Sequence, residues 1–405
     1  MLSTSETLTA AYENCKDERL FHRRFKHDDL VEIIKSSSLD FQVVGHSFEK
    51  RDIYKCTVGS GPIQVLLWSQ MHGNEATATM AMADLFRFFE SESPLVDVIK
   101  EHLTLHFVPM LNPDGAERFI RRTAQMIDMN RDALDFHCPE SKLLKRLQDE
   151  IKPLFSFNLH DQSVRYASGE GPHQTAIAFL ATAFNEAREW NENRSRAMQL
   201  ICCLQELMQE FIPGRIARFS DEFEPRAFGD NIQAWGSSLI LIESGGNGDD
   251  TEKQELRKYN FMMLLRSFEL IATAAYTHQT LEQYEAIPLN TKCLFDVLIR
   301  RAEIDGQPVD IGINLEEHNI LKARDFETVS IVEDLGDLST YWGIKEIDAA
   351  GMQVEPLENF LEILTGLDIT LPSISRLLIE KNANFALAEN GQCRYLILDG
   401  KPMMI

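Results

Sequence analysis

Four short apolar runs in this chain each break off into polar or titratable residues, and that pattern restricts the fold more than any other feature. Val65-Leu-Leu-Trp68 leads into His72-Gly-Asn-Glu75, Leu103–Leu111 into Asn112-Pro-Asp-Gly115, Leu154–Leu159 into His160, and Leu239–Ile242 into Glu243. Short, mostly apolar runs of this kind suit strands buried on both faces of a mostly parallel sheet. The segments between them include Ala76–Phe89, Glu140–Glu150 and residues 251–278, which have helical patterning. Strand alternating with helix predicts an α/β fold: a mixed, mostly parallel sheet flanked by helices. Ligands in such folds gather where the strands end, which is where the His and Glu residues stand.

The remaining segments are expected to frame that sheet. Residues 5–36 read as helical, and Phe41–Val58 as a hairpin of two alternating strands. Asn112-Pro-Asp-Gly115 is a run of turn formers, followed by a polar loop over 116–123. Residues 175–211 read as two helices with a charged break near Asn191-Glu-Asn-Arg194, and residues 213–235 as a long irregular loop. After Ala286-Ile-Pro-Leu-Asn290 the texture changes. Cys293–Ile304, Val309–Leu315 and Cys393–Ile405 are strand-like, and only Leu357–Leu364 and Ile374–Glu380 invite helices. Two domains are expected: a catalytic domain over 1–285 and a small β-rich accessory domain over 286–405, the latter suited to interaction or homo-oligomerisation.

Composition excludes several function classes. The net charge of −23 is spread along the 405 residues, which argues against nucleic acid or anionic membrane as a partner. No apolar run reaches the roughly 18 residues of a membrane span. The start, Met-Leu-Ser-Thr-Ser-Glu, lacks a basic region followed by an apolar core. Seven Cys without disulfide-like spacing suggest free thiols in a reducing compartment. Cys202-Cys203 sits in a helical apolar pattern and reads as core. The expected location is cytoplasmic.

Two imidazoles and a carboxylate at strand ends, His72, His160 and Glu75, form a donor set that with a water in the fourth position describes a catalytic zinc site. The same donors would accept other divalent ions. Alone, His72 and Glu75 would read as a loop histidine and a helix-start glutamate. Glu243, at a further strand end, could take a proton from an activated water; the bland alternative is a structural carboxylate before Gly245-Gly246. Arg121 could stabilise an oxyanion, although Arg118 and Arg122 stand beside it and any of the three could be solvated. Asn130-Arg131 could hold a carboxylate by a fork of hydrogen bonds.

Taken together, His72-x-x-Glu75, Asn112-Pro-Asp-Gly115, Arg121, Asp128-Met-Asn130-Arg131, His160 and Glu243 resemble the motifs of the carboxypeptidase A-like zinc carboxypeptidases, in the same order. The resemblance runs from about Val44 to Gly246, and Phe157-Asn-Leu-His-Asp-Gln162 is most similar to bacterial members. It implies a metallocarboxypeptidase binding one Zn2+ ion through His72, Glu75 and His160. Glu243 would be its general base, and Arg121 would polarise the scissile carbonyl. Asn130 and Arg131 would bind the substrate's terminal carboxylate, and Asp128 would orient His72; a loop cap is the other reading of Asp128. One departure is the absence of tyrosine from residues 167–242, where many members carry a substrate-contacting one; Tyr166 is the nearest. Arg218 and Arg226 would favour an acidic substrate side chain if they lined a pocket. As surface residues they would balance Asp221, Glu222 and Glu224.

The substrate expected is a peptide. His72-Gly-Asn-Glu75 also resembles the aspartoacylase and succinylglutamate desuccinylase group, so the alternative is zinc-dependent deacylation of an N-acyl amino acid. Asn112-Pro-Asp-Gly115 and the placement of Arg121 favour the peptidase. A non-catalytic binding protein using the same cleft is a third reading, weakened by the complete ligand set and Glu243.

Overall fold

The computed structural model describes residues 3–320 and 324–405. The chain divides into two compact units. The first comprises Met1–Val164 and Thr175–Asn290, and the second Arg165–Gln174 and Thr291–Ile405.

The first unit is built on an eight-stranded mixed sheet. In chain order its strands are β1 (Phe41–His46), β2 (Asp52–Val58), β3 (Ile63–Ser69), β4 (Leu103–Val108), β5 (Phe155–Asp161), β6 (Ile177–Leu180), β7 (Ile216–Arg218) and β8 (Ser238–Ser244). They lie in the order β1-β2-β4-β3-β5-β8-β6-β7. The central run β4, β3, β5, β8 is parallel throughout. Strand β1 pairs antiparallel with β2, which pairs antiparallel with β4. All seven residues of β3 are apolar or uncharged, because successive side chains enter two different cores. Val65 and Leu67 pack on one side, with helices α1 (Ser5–Cys15), α3 (Thr77–Phe89) and α9 (Gln254–Thr273). Leu66 and Trp68 pack on the other, with α6 (Pro139–Ile151) and α8 (Phe228–Ala234). Every residue of α3 except Arg87 is buried, including Asp84. That carboxylate is tolerated because the Arg257 guanidinium of α9 grips it through Nε at 2.7 Å and Nη2 at 2.5 Å.

Several sequence expectations need correction. The helical run over 5–36 is interrupted: α1 ends at Cys15 and the next helix, His27–Ser36, begins twelve residues later. Asn112-Pro-Asp-Gly115 is a helix start rather than a free turn, with the Asn112 side chain accepting from Gly115 N and Pro113 at the first helical position. Residues 175–211 hold one helix, Glu192–Gln209, preceded by a strand. The alanine-rich run Ala176–Leu180 pairs antiparallel with β8, Ile177 opposite Ser244, so tertiary pairing overrides its local propensity. The supposed loop over 213–235 contains β7 and α8. Ile374–Glu380 is not helical.

The second unit carries its own eight-stranded sheet. Beyond the runs expected from sequence it contains Asp325–Gly336, Trp342–Asp348, Gln353–Glu355 and Phe385–Glu389. The strands Gln307–Ile320 and Asp325–Gly336 pair antiparallel and mix polar with apolar residues, and Ile311, Ile313 and Val332 face the core. The segment 165–174 belongs here through Arg165, whose guanidinium pairs with Asp296 at 2.8 Å and Glu316 at 2.7 Å. All seven cysteines are buried free thiols. No described helix is long and apolar enough to cross a membrane.

Candidate metal and catalytic site

The site lies where β3, β5 and β8 end. After β3 the chain turns so that Glu75 N donates to the His72 carbonyl at 3.1 Å, which puts both side chains on one side of the turn. Gly73 allows this turn to rest directly on the start of helix α5 (Pro113–Arg118): a Cβ there would stand 1.9 Å from the Gly115 carbonyl carbon. Asn112 ties the two loops together, its amide donating to Met71 O at 3.2 Å. The Asn-Pro-Asp-Gly motif is thus the seat of the His-x-x-Glu turn.

Both imidazoles aim Nδ1 at the Glu75 carboxylate. His72 lies 2.8 Å from Oε1 and His160 lies 2.6 Å from Oε2. One ligand atom from each of the three residues falls within 4.8 Å of the others, and all three residues are buried. Two nitrogens and a carboxylate oxygen converging from rigid strand ends fit a divalent transition metal, whose bonds to such donors are about 2.0–2.2 Å. The cluster can therefore hold a metal ion.

The surroundings orient these groups. His72 Nε2 lies 3.1 Å from Asp128 Oδ1, and that oxygen also accepts from Asn130 N, so Asp128 both contacts the imidazole and caps the short turn Met129–Arg131. The Asp128 Oδ2 oxygen accepts from Arg121 Nε at 3.0 Å. Arg121 Nη1 stands 3.1 Å from His72 Nδ1 and 3.3 Å from Glu75 Oε1. Its neighbours point elsewhere: Arg118 pairs with Glu49, and Arg122 donates to Met126 O. Asp161, next to His160, donates its backbone N–H to Glu75 Oε2 at 3.3 Å, and its side chain meets Thr77 and Lys253. Asp161, Thr77 and Lys253 were not singled out from sequence. Asp161 had only its adjacency to His160 as a signal, and Lys253 had none.

The electrostatics follow from this crowding. Burial works against the Glu75 carboxylate, but His72 and His160 override it and hold its pKa well below the usual carboxylate range. Burial likewise opposes a charged His72, yet Glu75 and Asp128 raise its pKa. Asp128 is held low against burial by His72 and Arg121. Glu243 behaves in the opposite way. It sits opposite His160 in the β5–β8 register, and its Oε2 is sealed from solvent with no hydrogen-bond partner. Burial pushes its pKa up to about 8, with Glu75 and Asp161 adding to the rise and His160 opposing it.

Asn130 and Arg131 lie on the turn that follows Asp128. The Asn130 side-chain oxygen accepts from Phe228 N at 3.0 Å. Arg131 Nε stands 3.2 Å from Glu224 Oε2. Arg226 lies on the surface against Glu224, and Arg218 spends its guanidinium on Ile287 O and Glu285 O. Arg226 thus takes the surface role, balancing Glu224, and Arg218 packs against the chain that follows α9. His106, His137 and His102 have local structural partners.

A zinc carboxypeptidase family model matches residues 29–151, a span that includes His72, Glu75, Arg121, Asp128, Asn130 and Arg131. Among curated proteins, cytosolic carboxypeptidase 6 of Mus musculus is 26% identical over 126 residues, covering 28% of this chain and 23% of the relative. Carboxypeptidase SOL1 of Arabidopsis thaliana is 30% identical over 110 residues, covering 26% and 22%. The chain thus spans about a quarter of the length of these relatives. Among solved structures, a metallo-carboxypeptidase from Burkholderia cenocepacia superposes with a TM-score of 0.51 at 12% identity, covering 63% of this chain and 71% of that one. This likeness establishes the fold.

Proposed function

We propose that the protein, whose residues 29–151 match a zinc carboxypeptidase family model, is a zinc-dependent metallocarboxypeptidase that hydrolyses the C-terminal amide bond of a peptide. The observation that carries this reading is the convergence of His72, Glu75 and His160 on one point, with Glu243 on the adjacent strand end. His72, Glu75 and His160 would hold one Zn2+ ion. Bound there, the ion supplies a Lewis acid that polarises the scissile carbonyl and makes water acidic enough to be a nucleophile near neutral pH.

The chain's own groups do the rest. Glu243 takes a proton from the attacking water as the new C–O bond forms. Its carboxylate, half-buried with Oε2 sealed from solvent, binds protons unusually well, which suits a base of this kind. A bound cation would draw that pKa back down. As the C–N bond breaks, Glu243 passes the proton to the leaving amine nitrogen. Arg121, within reach of the ligand cluster, stabilises the oxyanion. Asp128 fixes the His72 ring and holds Arg121 at the same time. Asn130 and Arg131 bind the terminal carboxylate.

The test is a panel of N-blocked dipeptides and N-acyl amino acids, assayed alongside bound-metal analysis. Free-acid dipeptides should be cleaved with one zinc per chain. Cleavage of N-acyl amino acids alone would replace peptidase with deacylase. Glu243→Gln should retain the metal and lose at least about 10³-fold in kcat, comparable to losing a positioned base and its electrostatic support. His160→Ala should lose the metal. Full activity in Glu243→Gln would sink the assigned mechanism.

A further inference from the structure

The arginine assigned to the substrate's carboxylate already faces a carboxylate of its own chain. Glu224 bridges two guanidinium groups. Arg131 Nε lies 3.2 Å from Oε2, while Arg226 forms a two-pronged pair, Nε to Oε1 at 3.1 Å and Nη2 to Oε2 at 3.2 Å. The strap carrying Glu224 is fastened at Glu224 itself and at the residues just after it. Glu224 N donates to Asp230 Oδ1 at 3.1 Å, Ala133 N donates to Arg226 O at 3.1 Å, and Phe228 N donates to the Asn130 side chain at 3.0 Å. The backbone of the strap is therefore laced to the segment holding Asn130 and Arg131. The Glu224 side chain has two places to go, and its fork with Arg226 does not depend on Arg131.

We propose that Glu224 is a built-in competitor for the C-terminal carboxylate: it rests on Arg131 in the free chain and withdraws onto Arg226 when a peptide terminus arrives. The inference rests on the reading of Arg131 as carboxylate anchor. A tethered carboxylate acts at high effective concentration, and a guanidinium fork is the geometry that both carboxylates would want. Because Arg131 and Glu224 are both partly solvated, the contest is mild. A ligand with a full terminal carboxylate wins it, whereas one that offers only a neutral amide cannot displace Glu224. Glu224 thereby sharpens selection for a free C-terminus. It acts through Arg131 and is a positioning residue.

The experiment measures kcat and KM for an N-blocked dipeptide free acid and its C-terminal amide, in the zinc-loaded full chain. Glu224→Gln should lower KM for the free acid about two- to fivefold, the range of an exposed ion pair, with kcat moving less. Discrimination against the amide should fall. Arg226→Ala should raise KM for the acid, because Glu224 then has only Arg131. The double variant should match Glu224→Gln, since the Arg226 effect passes through Glu224. A KM that rises or stays put in Glu224→Gln, or an Arg226 effect that persists in the double variant, overturns the proposal while leaving the peptidase reading intact. If the wild-type chain cleaves no free-acid peptide, the peptidase reading fails and the proposal falls with it.

Discussion

Gly73 shows how much of this site depends on a single absent atom. A methyl group there would stand 1.9 Å from the Gly115 carbonyl carbon and 2.2 Å from Ala116 N, both backbone atoms that cannot rotate away. Gly73→Ala should therefore lift the His72–Glu75 turn off its seat while leaving the two cores intact. The expected result is a loss of metal affinity of about 10-fold or more, read by calorimetric zinc titration, with the helical circular dichroism unchanged. Gly171→Ala is the control, since nothing lies within 4 Å of its added carbon. Equal affinity in Gly73→Ala and wild type would show that the seat is not needed. Residues of this kind were half legible in the sequence. His72, Glu75, His160 and Glu243 could be read because each ends an apolar run, and strand ends point the same way in a parallel sheet. Arg121 was chosen over Arg118 and Arg122 only through the resemblance, because all three lie within five residues, and it is their contacts in the fold that separate them. Lys253 left no trace in sequence and Glu224 could be read only as a countercharge to Arg226, because their other partners, Asp161 and Arg131, lie 92 and 93 residues away.

At the scale of elements, the sheet explains both the readings that hold and those that fail. Strands β3, β4, β5 and β8 were readable because two-sided burial makes them mostly apolar. Strand β6 was misread because its four residues, Ile-Ala-Phe-Leu, are all apolar and carry no period, and only pairing with β8 makes them extended. Strand β4 also carries a polar residue with a consequence for stability. His106 is buried, its Nε2 2.8 Å from Gln64 Oε1, and burial pushes its pKa from 6.5 down to about 4. For a base with a lowered folded pKa, the unfolded chain binds the proton more readily. Stability is therefore full above pH 6.5 and declines as the pH falls from 6.5 toward 4. His106→Gln removes this term. Between pH 7 and pH 4 the wild type should lose on the order of 2 kcal/mol more than the variant, measured by urea titration with hydrogen exchange at the β4 amides. Parallel pH curves for the two proteins would show that His106 does not supply the difference.

At the scale of the whole molecule, the second unit is more than a tail. The chain enters it at Arg165, leaves at Gln174 and returns at Thr291, a path invisible to a reading that looks for a change of texture along the sequence. The ten-residue segment is held there by specific contacts. Arg165 spends its guanidinium on Asp296, Glu316 and Leu315 O, while Leu294 N donates to Arg165 O. Ala167 is buried with Cys293, Leu294 and Trp342. A cut near residue 285 therefore removes every one of these partners at once. Backbone that loses its packing and hydrogen bonds becomes open to proteases. A fragment ending at residue 290 should be nicked within 165–174 by a protease that leaves the full chain whole, with the cut mapped by mass spectrometry. Its zinc content before nicking should equal that of the full chain, because His72, Glu75 and His160 all belong to the first unit. If the fragment resists cleavage as well as the full chain does, the segment owes its order to the first unit, and the second unit can be treated as a detachable module.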